Sequence, residues 1–314
     1  MNLDKKIATR QSYGEALVEL GKENENIVVL DADLSSATKT SIFAKQFPER
    51  FFDIGIAEQN LMGVSAGLAT TGLIPYASTF AVFAAGRAYD QIRSSIAYPK
   101  LNVKICATHA GITVGEDGAS HESIEDIAIM RSVPNMTVLV PADGVEAEQM
   151  ILEAARVYGP MYVRLGRSAV PTIFDENYKF EIGKGVVVRE GNDVTIIACG
   201  IMVYEAIKAS EELALEGINT RVINMSTIKP IDKELIINAA KETKAIVTAE
   251  EHSIIGGLGS AVSEVVSEEC PVLVKKVGVN DSFGESGTPA ELLKKYGLTS
   301  NDIVKAVKEA ITKK

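Results

Sequence analysis

Short apolar runs alternate with helical patterns along the whole chain. The runs Ile27–Asp33, Phe51–Gly55, Pro75–Thr79, Val103–Thr108, Thr137–Pro141 and Tyr162–Leu165 predict strands. Apolar spacing predicts helices over Gln11–Lys22, Glu58–Ala69, Phe80–Ala97 and Val145–Val157. Continuous Val/Ile-rich strands separated by helices predict a mostly parallel sheet covered on both faces. From Val170 to Lys184 the rhythm breaks into a polar, irregular stretch without helical period, which reads as a linker. A second alternation follows. Its strands are expected at Gly185–Arg189, Val194–Cys199, Thr220–Ile223, Ala245–Ala249 and Val272–Val277. Its helices are expected at Val203–Glu216, Asp232–Lys241, Gly259–Glu268, Pro289–Tyr296 and Asn301–Ile311. The expected fold is two consecutive α/β domains, residues 1–175 and 191–314, with a linker at 176–190.

The segment Gln59–Gly86 carries no charge and is long enough to span a bilayer. Its polar residues and the Gly72-Leu-Ile-Pro75 break favour a buried helix, a turn and a buried strand instead. Lys plus Arg is 32 and Asp plus Glu is 42, a net charge of −10. That balance argues against a general nucleic-acid binder, which needs a basic face. Cys106, Cys199 and Cys270 show no CxxC spacing, so neither a disulfide framework nor a zinc site is expected, and a reducing cytosol is the natural compartment. The first residues lack the apolar run of a signal peptide.

Four groups of residues carry candidate chemistry. Glu58 stands alone where an apolar strand gives way to an apolar helix. A first-turn Glu complements the helix dipole by ~0.3–1 kcal/mol. It also lies where active-site groups gather in such sheets, at strand ends. Phe80 and Phe83, three residues apart, form either core or a flat apolar wall for an aromatic heterocycle, and Arg87 follows one turn later. The glycine-rich segment Thr108–His121 holds His109, Glu116, Asp117 and His121 after a buried strand, which suits a polar substrate. Its two histidines, twelve residues apart, fit no usual zinc pattern. Arg10 follows Ala8-Thr9, and Arg164 interrupts the apolar run Tyr162–Leu165; arginine suits bidentate phosphate recognition. In the second domain, Glu250-Glu-His-Ser-Ile-Ile-Gly-Gly-Leu-Gly259 opens a helix. Its paired glutamates oppose an anion, so a structural or interface turn is expected.

These residues resemble the C-terminal half of transketolase, a pyrimidine-binding domain followed by the family's C-terminal domain with a mixed sheet. The matching segments, in family order, are Ile7–Arg10, Asp31–Leu34, Asp53–Gln59, Ser78–Phe80, Thr108-His109, Gly115–His121, Pro141–Asp143, Glu250–His252, Gly256–Gly259 and Phe283–Ser286. The resemblance implies a thiamine diphosphate enzyme that moves a two-carbon ketol group from a ketose phosphate to an aldose phosphate. It implies that Glu58 hydrogen-bonds the pyrimidine N1′ and that Phe80 and Phe83 pack around that ring. His109, Asp117 and His121 would meet the sugar hydroxyls, with His109 and His121 moving protons. Arg10 and Arg164 would grip the sugar phosphate, and Asp33 would lie near the cofactor. Ser35-Ser-Ala-Thr38 stands where the family commonly places a phosphate-binding serine, with no single hydroxyl singled out. The family's diphosphate half, with its Gly-Asp-Gly segment and later Asn for Mg²⁺, has no counterpart in these residues. The resemblance therefore implies an N-terminal transketolase subunit as partner, holding Mg²⁺, in a cytoplasmic α2β2 complex. The rival readings are a 2-oxo-acid dehydrogenase β subunit, a deoxyxylulose-phosphate synthase-like half, a paralogue for a modified sugar, and a non-catalytic homologue.

Overall fold

The computed structural model describes residues 2–314. Strand β1 (Asn2–Ala8) leads into helix α1 (Thr9–Glu23). Strands β2 (Ile27–Asp31), β3 (Phe51–Asp53), β4 (Ile74–Phe80), β5 (Lys104–Thr108), β6 (Thr137–Leu139) and β7 (Met161–Arg164) run parallel in one sheet. Between them lie helices α2 (Glu58–Thr70), α3 (Asp126–Ser132) and α4 (Gly144–Arg156). Strand β8 (Ala169–Thr172) pairs antiparallel with β1 as a separate ribbon.

Both faces of this sheet are covered, as continuous apolar strands require. In β2 successive side chains alternate sides: Val28 and Leu30 join one cluster with Leu61, Ile92 and Ile105, while Ile27 and Val29 join another with Tyr13, Leu17 and Ile151. The uncharged segment Gln59–Gly86 folds as a helix, a turn and the buried strand β4. No helix among the described residues is long and apolar enough to cross a membrane.

The second sheet contains β9 (Val186–Arg189), β10 (Val194–Ala198), β11 (Thr220–Asn224), β13 (Ala245–Ser253) and β14 (Leu273–Val279) in the order β14-β13-β10-β11-β9. Only β9 is antiparallel, so the sheet is mixed. Helices α5 (Met202–Leu215), α6 (Lys233–Thr243), α7 (Leu258–Glu269), α8 (Pro289–Lys295) and α9 (Ser300–Lys313) cover it. The starts of α8 and α9 carry capping boxes, Thr288 with Glu291 and Thr299 with Asp302, which satisfy N–H groups that a helix start leaves open.

Three features depart from the sequence expectation. Strand β12 (Thr227–Lys229) leaves the second domain and pairs antiparallel with β6, becoming the seventh strand of the first sheet. The segment read as a linker is packed down: Phe174 and Phe180 are buried, and Tyr178 Oη donates to buried Glu146 Oε1 at 2.6 Å. Its last residues, Val186–Arg189, belong to the second sheet because β9 hydrogen-bonds β11. The helix expected over Phe80–Ala97 begins later and is wound as π-helix at Phe83–Arg87 and Ile92–Ala97, so Phe80 closes strand β4. The first π turn carries Ala84-Ala-Gly86, and single π turns often mark functional sites.

Candidate active site

The first sheet reverses its winding between β2 and β4: β3 lies on one side of β2 and β4 on the other. Ligands of such sheets bind in the crevice outside the strand carboxyl ends at that reversal. The chain delivers its candidate residues there. Glu58 follows β3, Phe80 ends β4, His109 follows β5 and Arg167 follows β7.

One side of the crevice is aromatic. The Phe80 and Phe83 rings lie nearly parallel, with centroids 6.0 Å apart and planes 12° from parallel. His109 stacks on Phe80 at 3.8 Å, and His121 meets Phe83 edge-on at 5.4 Å. Glu58, in the first turn of α2, is 2% exposed and accepts a hydrogen bond from Arg87 Nη1 at 2.9 Å. The Arg87 guanidinium lies over the Phe83 ring, 4.5 Å from its centroid. Residues Ile56–Asn60 and Arg87 line a cavity of about 300 Å³. A larger hollow of about 660 Å³, beside Lys5, Glu148 and Asn177, contains none of these candidate residues.

Next to the aromatic group, and in contact with it through His109, lies a cationic one. His109 is buried and adopts φ +56°, an uncommon conformation for a residue with a Cβ. Its Nδ1 lies 2.9 Å from Thr108 Oγ1, and its Nε2 lies 3.2 Å from Arg10 Nη1. An arginine only donates, so Nε2 accepts and Nδ1 carries the proton. Burial, then the charges of Arg10, Arg167, His121 and Lys39, push the His109 pKa down to about 3, and the imidazole is neutral at pH 7. Arg10 Nη1 also donates to Ala37 O at 2.7 Å. Burial and then the neighbouring Arg167 lower its own pKa.

Arg167, which sequence reasoning missed, lies half-buried at the end of β7. It donates to Val114 O and pairs with Glu116 at 3.4 Å and Asp117 at 3.5 Å. Asp117 thus stands at the mouth of the crevice, and His121 Nδ1 is held 2.9 Å from Ser120 Oγ. The loop turns on Gly118 at φ +74°, where an added Cβ would strike Ser286 Oγ of the second domain. The second domain therefore buttresses the loop that presents Asp117 and His121.

Arg164 does not reach this site. It is buried, with Nε 2.9 and 3.1 Å from the two Asp126 oxygens and Nη2 donating to Ser123 O and Glu251 O. The bond to Glu251 O ties the two domains together, and Nε and Nη2 are committed to protein acceptors. The sequence signal was the reciprocal pair: a lone Arg in an apolar strand and a lone buried Asp in a helix need each other. Asp33 is exposed at φ +61°, its N–H donating to Asp53 Oδ1 at 3.1 Å. The buried acid nearby is Asp31, which accepts from Thr38 Oγ1, Thr40 Oγ1 and Leu34 N. Burial pushes its pKa up to about 6. Thr38 is thereby committed, while Ser36 faces solvent and Ser35 is half-buried.

At the corresponding strand end of the second domain, Glu250 accepts from Leu258 N and Gly259 N at 2.7 and 2.8 Å, filling the start of α7. Glu251 Oε1 accepts from Thr113 N at 2.7 Å, and His252 Nε2 accepts from Ala128 N. The glycine-rich turn is structural and interfacial. Among the described residues no group of three or more His, Cys, Asp and Glu side chains is placed to hold a metal ion.

Residues 5–172 match the family described as transketolase, pyrimidine binding domain, and residues 183–303 match transketolase, C-terminal domain. A Methanocaldococcus jannaschii protein assigned as a transketolase C-terminal section is 54% identical over 97% of this chain and 96% of its own length. The 6-deoxy-6-sulfo-D-fructose transketolase subunit of Clostridium sp. (strain MSTE9) is 45% identical over 97% of this chain and 95% of its own. Human transketolase is 42% identical over 98% of this chain, which spans 50% of that protein. A solved split-gene transketolase, an inactive β4 tetramer, superposes with TM-score 0.92 at 63% identity, covering 98% of this chain and 99% of that one.

Proposed function

This chain belongs to the transketolase family, and we propose that it is the C-terminal subunit of a split transketolase, working in the cytoplasm with an N-terminal subunit in an α2β2 complex. The reaction is reversible transfer of a two-carbon ketol group between sugar phosphates, with thiamine diphosphate as cofactor. The observation that carries this reading is a buried carboxylate, Glu58, tied through Arg87 to a flat phenylalanine wall at the sheet's reversal point. Such a wall with an acceptor at its edge fits an aminopyrimidine. It gives no place to a diphosphate or its Mg²⁺, which we assign to the N-terminal subunit.

Thiamine diphosphate, when bound, supplies a carbanion that adds to the ketose carbonyl. Everything else falls to the protein. Glu58 would hold a proton at the pyrimidine N1′, favouring the tautomer whose 4′-nitrogen is a base. Phe80 and Phe83 would fix the ring's plane and keep water from it. His109, held neutral by burial and by the Arg10 and Arg167 charges, would orient a sugar hydroxyl by hydrogen bonding, and would take up its proton only where the substrate's anionic end offsets those charges. His121 would steady a developing alkoxide, and Asp117 would accept a hydroxyl hydrogen bond at the mouth. Arg10 and Arg167, with Lys39 beyond them, set a positive field around His109 that suits the sugar's anionic end. Arg167 thus takes the role expected of Arg164, and Asp33 would border the site from outside.

The test is reconstitution with the N-terminal subunit, thiamine diphosphate, Mg²⁺, xylulose phosphate and ribose phosphate. Ketol transfer by the mixture and none by either chain alone is expected. Full turnover by this chain alone would sink the proposal. A second reading, a modified-sugar paralogue, is favoured by the 45% identity to a sulfosugar transketolase subunit. Turnover with a sulfonated ketose and none with xylulose phosphate would select it.

A further inference from the structure

Glu58 is placed to meet a ring, yet in this chain it is closed. Its side chain is 2% exposed, and the group hydrogen-bonded to its Oε1 is Arg87. Arg87 also covers the face of Phe83. Unlike Arg164, which is buried and held by Asp126 and two carbonyls, Arg87 is 49% exposed. It rides on the π-helical turn Phe83–Arg87, whose last carbonyl accepts from Gln59 Nε2 of α2 at 3.3 Å. A long side chain that is half in solvent can leave a charge partner at small cost. A heterocycle that lies against Phe83 and bonds Glu58 needs the two surfaces that Arg87 occupies.

We propose that Arg87 is a displaceable stand-in for the cofactor's pyrimidine ring. In the lone chain its guanidinium, itself flat and cationic, stacks on Phe83 and pairs with Glu58. It swings off both toward solvent when the ring enters. The buried carboxylate is thus never left unpaired, a state that burial makes costly. This inference rests on the thiamine reading, and it adds a residue that works against binding until the complex is assembled.

The test uses two readouts. In the lone chain, carbodiimide-driven amine labelling of Glu58 is followed by mass spectrometry, with exposed Glu49 as internal reference. Labelling of Glu58 should be slow in the wild type and several-fold faster in Arg87→Met, which keeps the aliphatic stem. Arg87→Lys, which keeps the charge, should fall between. In the reconstituted complex, calorimetry should show thiamine diphosphate binding about three- to fivefold tighter in Arg87→Met, the scale of a half-exposed ion pair. Wild-type Glu58 labelling as fast as Glu49, or equal labelling in all three folded proteins, would overturn the proposal. So would weaker cofactor binding by both variants, which would make Arg87 a permanent partner of the ring. Should the wild-type complex bind no thiamine diphosphate, the functional reading fails, and displacement by the ring fails with it. The labelling contrast would then report only whether Arg87 closes Glu58.

Discussion

The two domains bring parallel strands to helix starts in the same way but finish those ends differently. In the second, the chain fills its own crevice: Glu250 caps α7, and Glu251 accepts the Thr113 amide across the domain boundary. In the first, the strand ends carry Glu58, Phe80, His109 and Arg167, whose partners include side chains: Arg87 for Glu58, Phe83 for Phe80, Arg10 for His109 and Asp117 for Arg167. A carboxylate at a strand end becomes structural when backbone amides of its own chain saturate it. It stays available for chemistry when its partner is a side chain that can leave. Glu58 and Glu250 are both buried, so burial alone does not separate them.

Substitutions can break that contrast. Glu58→Gln in the reconstituted complex should lower kcat by ~10²–10⁴-fold, the usual scale of proton-transfer catalysis, with little change in the lone chain's melting. Arg164→Leu should do the reverse: removing one member of a buried pair costs about 3–5 kcal/mol of stability. That loss would appear in denaturant melts, while KM in the surviving folded complex stays near wild type. Glu250→Ala should destabilise by about 2–3 kcal/mol, since two helix-start amides lose a charged acceptor, again without a kinetic signature. Arg167→Leu should leave stability nearly unchanged and raise KM for phosphorylated sugars by ~10–100-fold, with unphosphorylated sugars unaffected.

The smallest effect is on pH dependence. His109 is depressed in the fold to about 3 from an ordinary 6.5, so the unfolded chain binds the extra proton between those values. Stability is therefore full above pH 6.5 and falls as the pH drops below it, by about 1 kcal/mol between pH 7 and 5.5. His109→Asn should flatten that limb of the stability profile. Glu122 and Glu146, pushed up to about 7 chiefly by burial, act in the opposite sense. Their contribution is present below pH 4.5 and is lost as pH rises through 7.

Much of this was legible in the residues. The strand and helix rhythm located both sheets, and Glu58, Phe80, Phe83 and the His109–His121 loop lie at the ends of the strands that were read. What escaped was set by distant partners. Strand β12 has three residues, too few to show a period, and its partner β6 lies far back in the chain. Arg164 and Arg167 sit in one Arg-Leu-Gly-Arg string, and only Asp126 decides which of them is buried. The polar stretch after Val170 looked like a tether because composition does not reveal that Phe174, Tyr178 and Phe180 pin it down. The π turns at Phe83–Ala97 keep an apolar pattern close enough to helical to pass for one α-helix.

The central claim is that this chain offers one end of a cofactor site through Glu58 and its aromatic wall. Calorimetric titration of thiamine diphosphate with Mg²⁺ into this chain, the N-terminal subunit and their mixture tests it most directly. Saturable binding by the mixture, absent from this chain alone and weakened by Glu58→Gln, is the predicted result. Equally tight binding to this chain alone, or binding by the mixture that Glu58→Gln leaves unchanged, would contradict it.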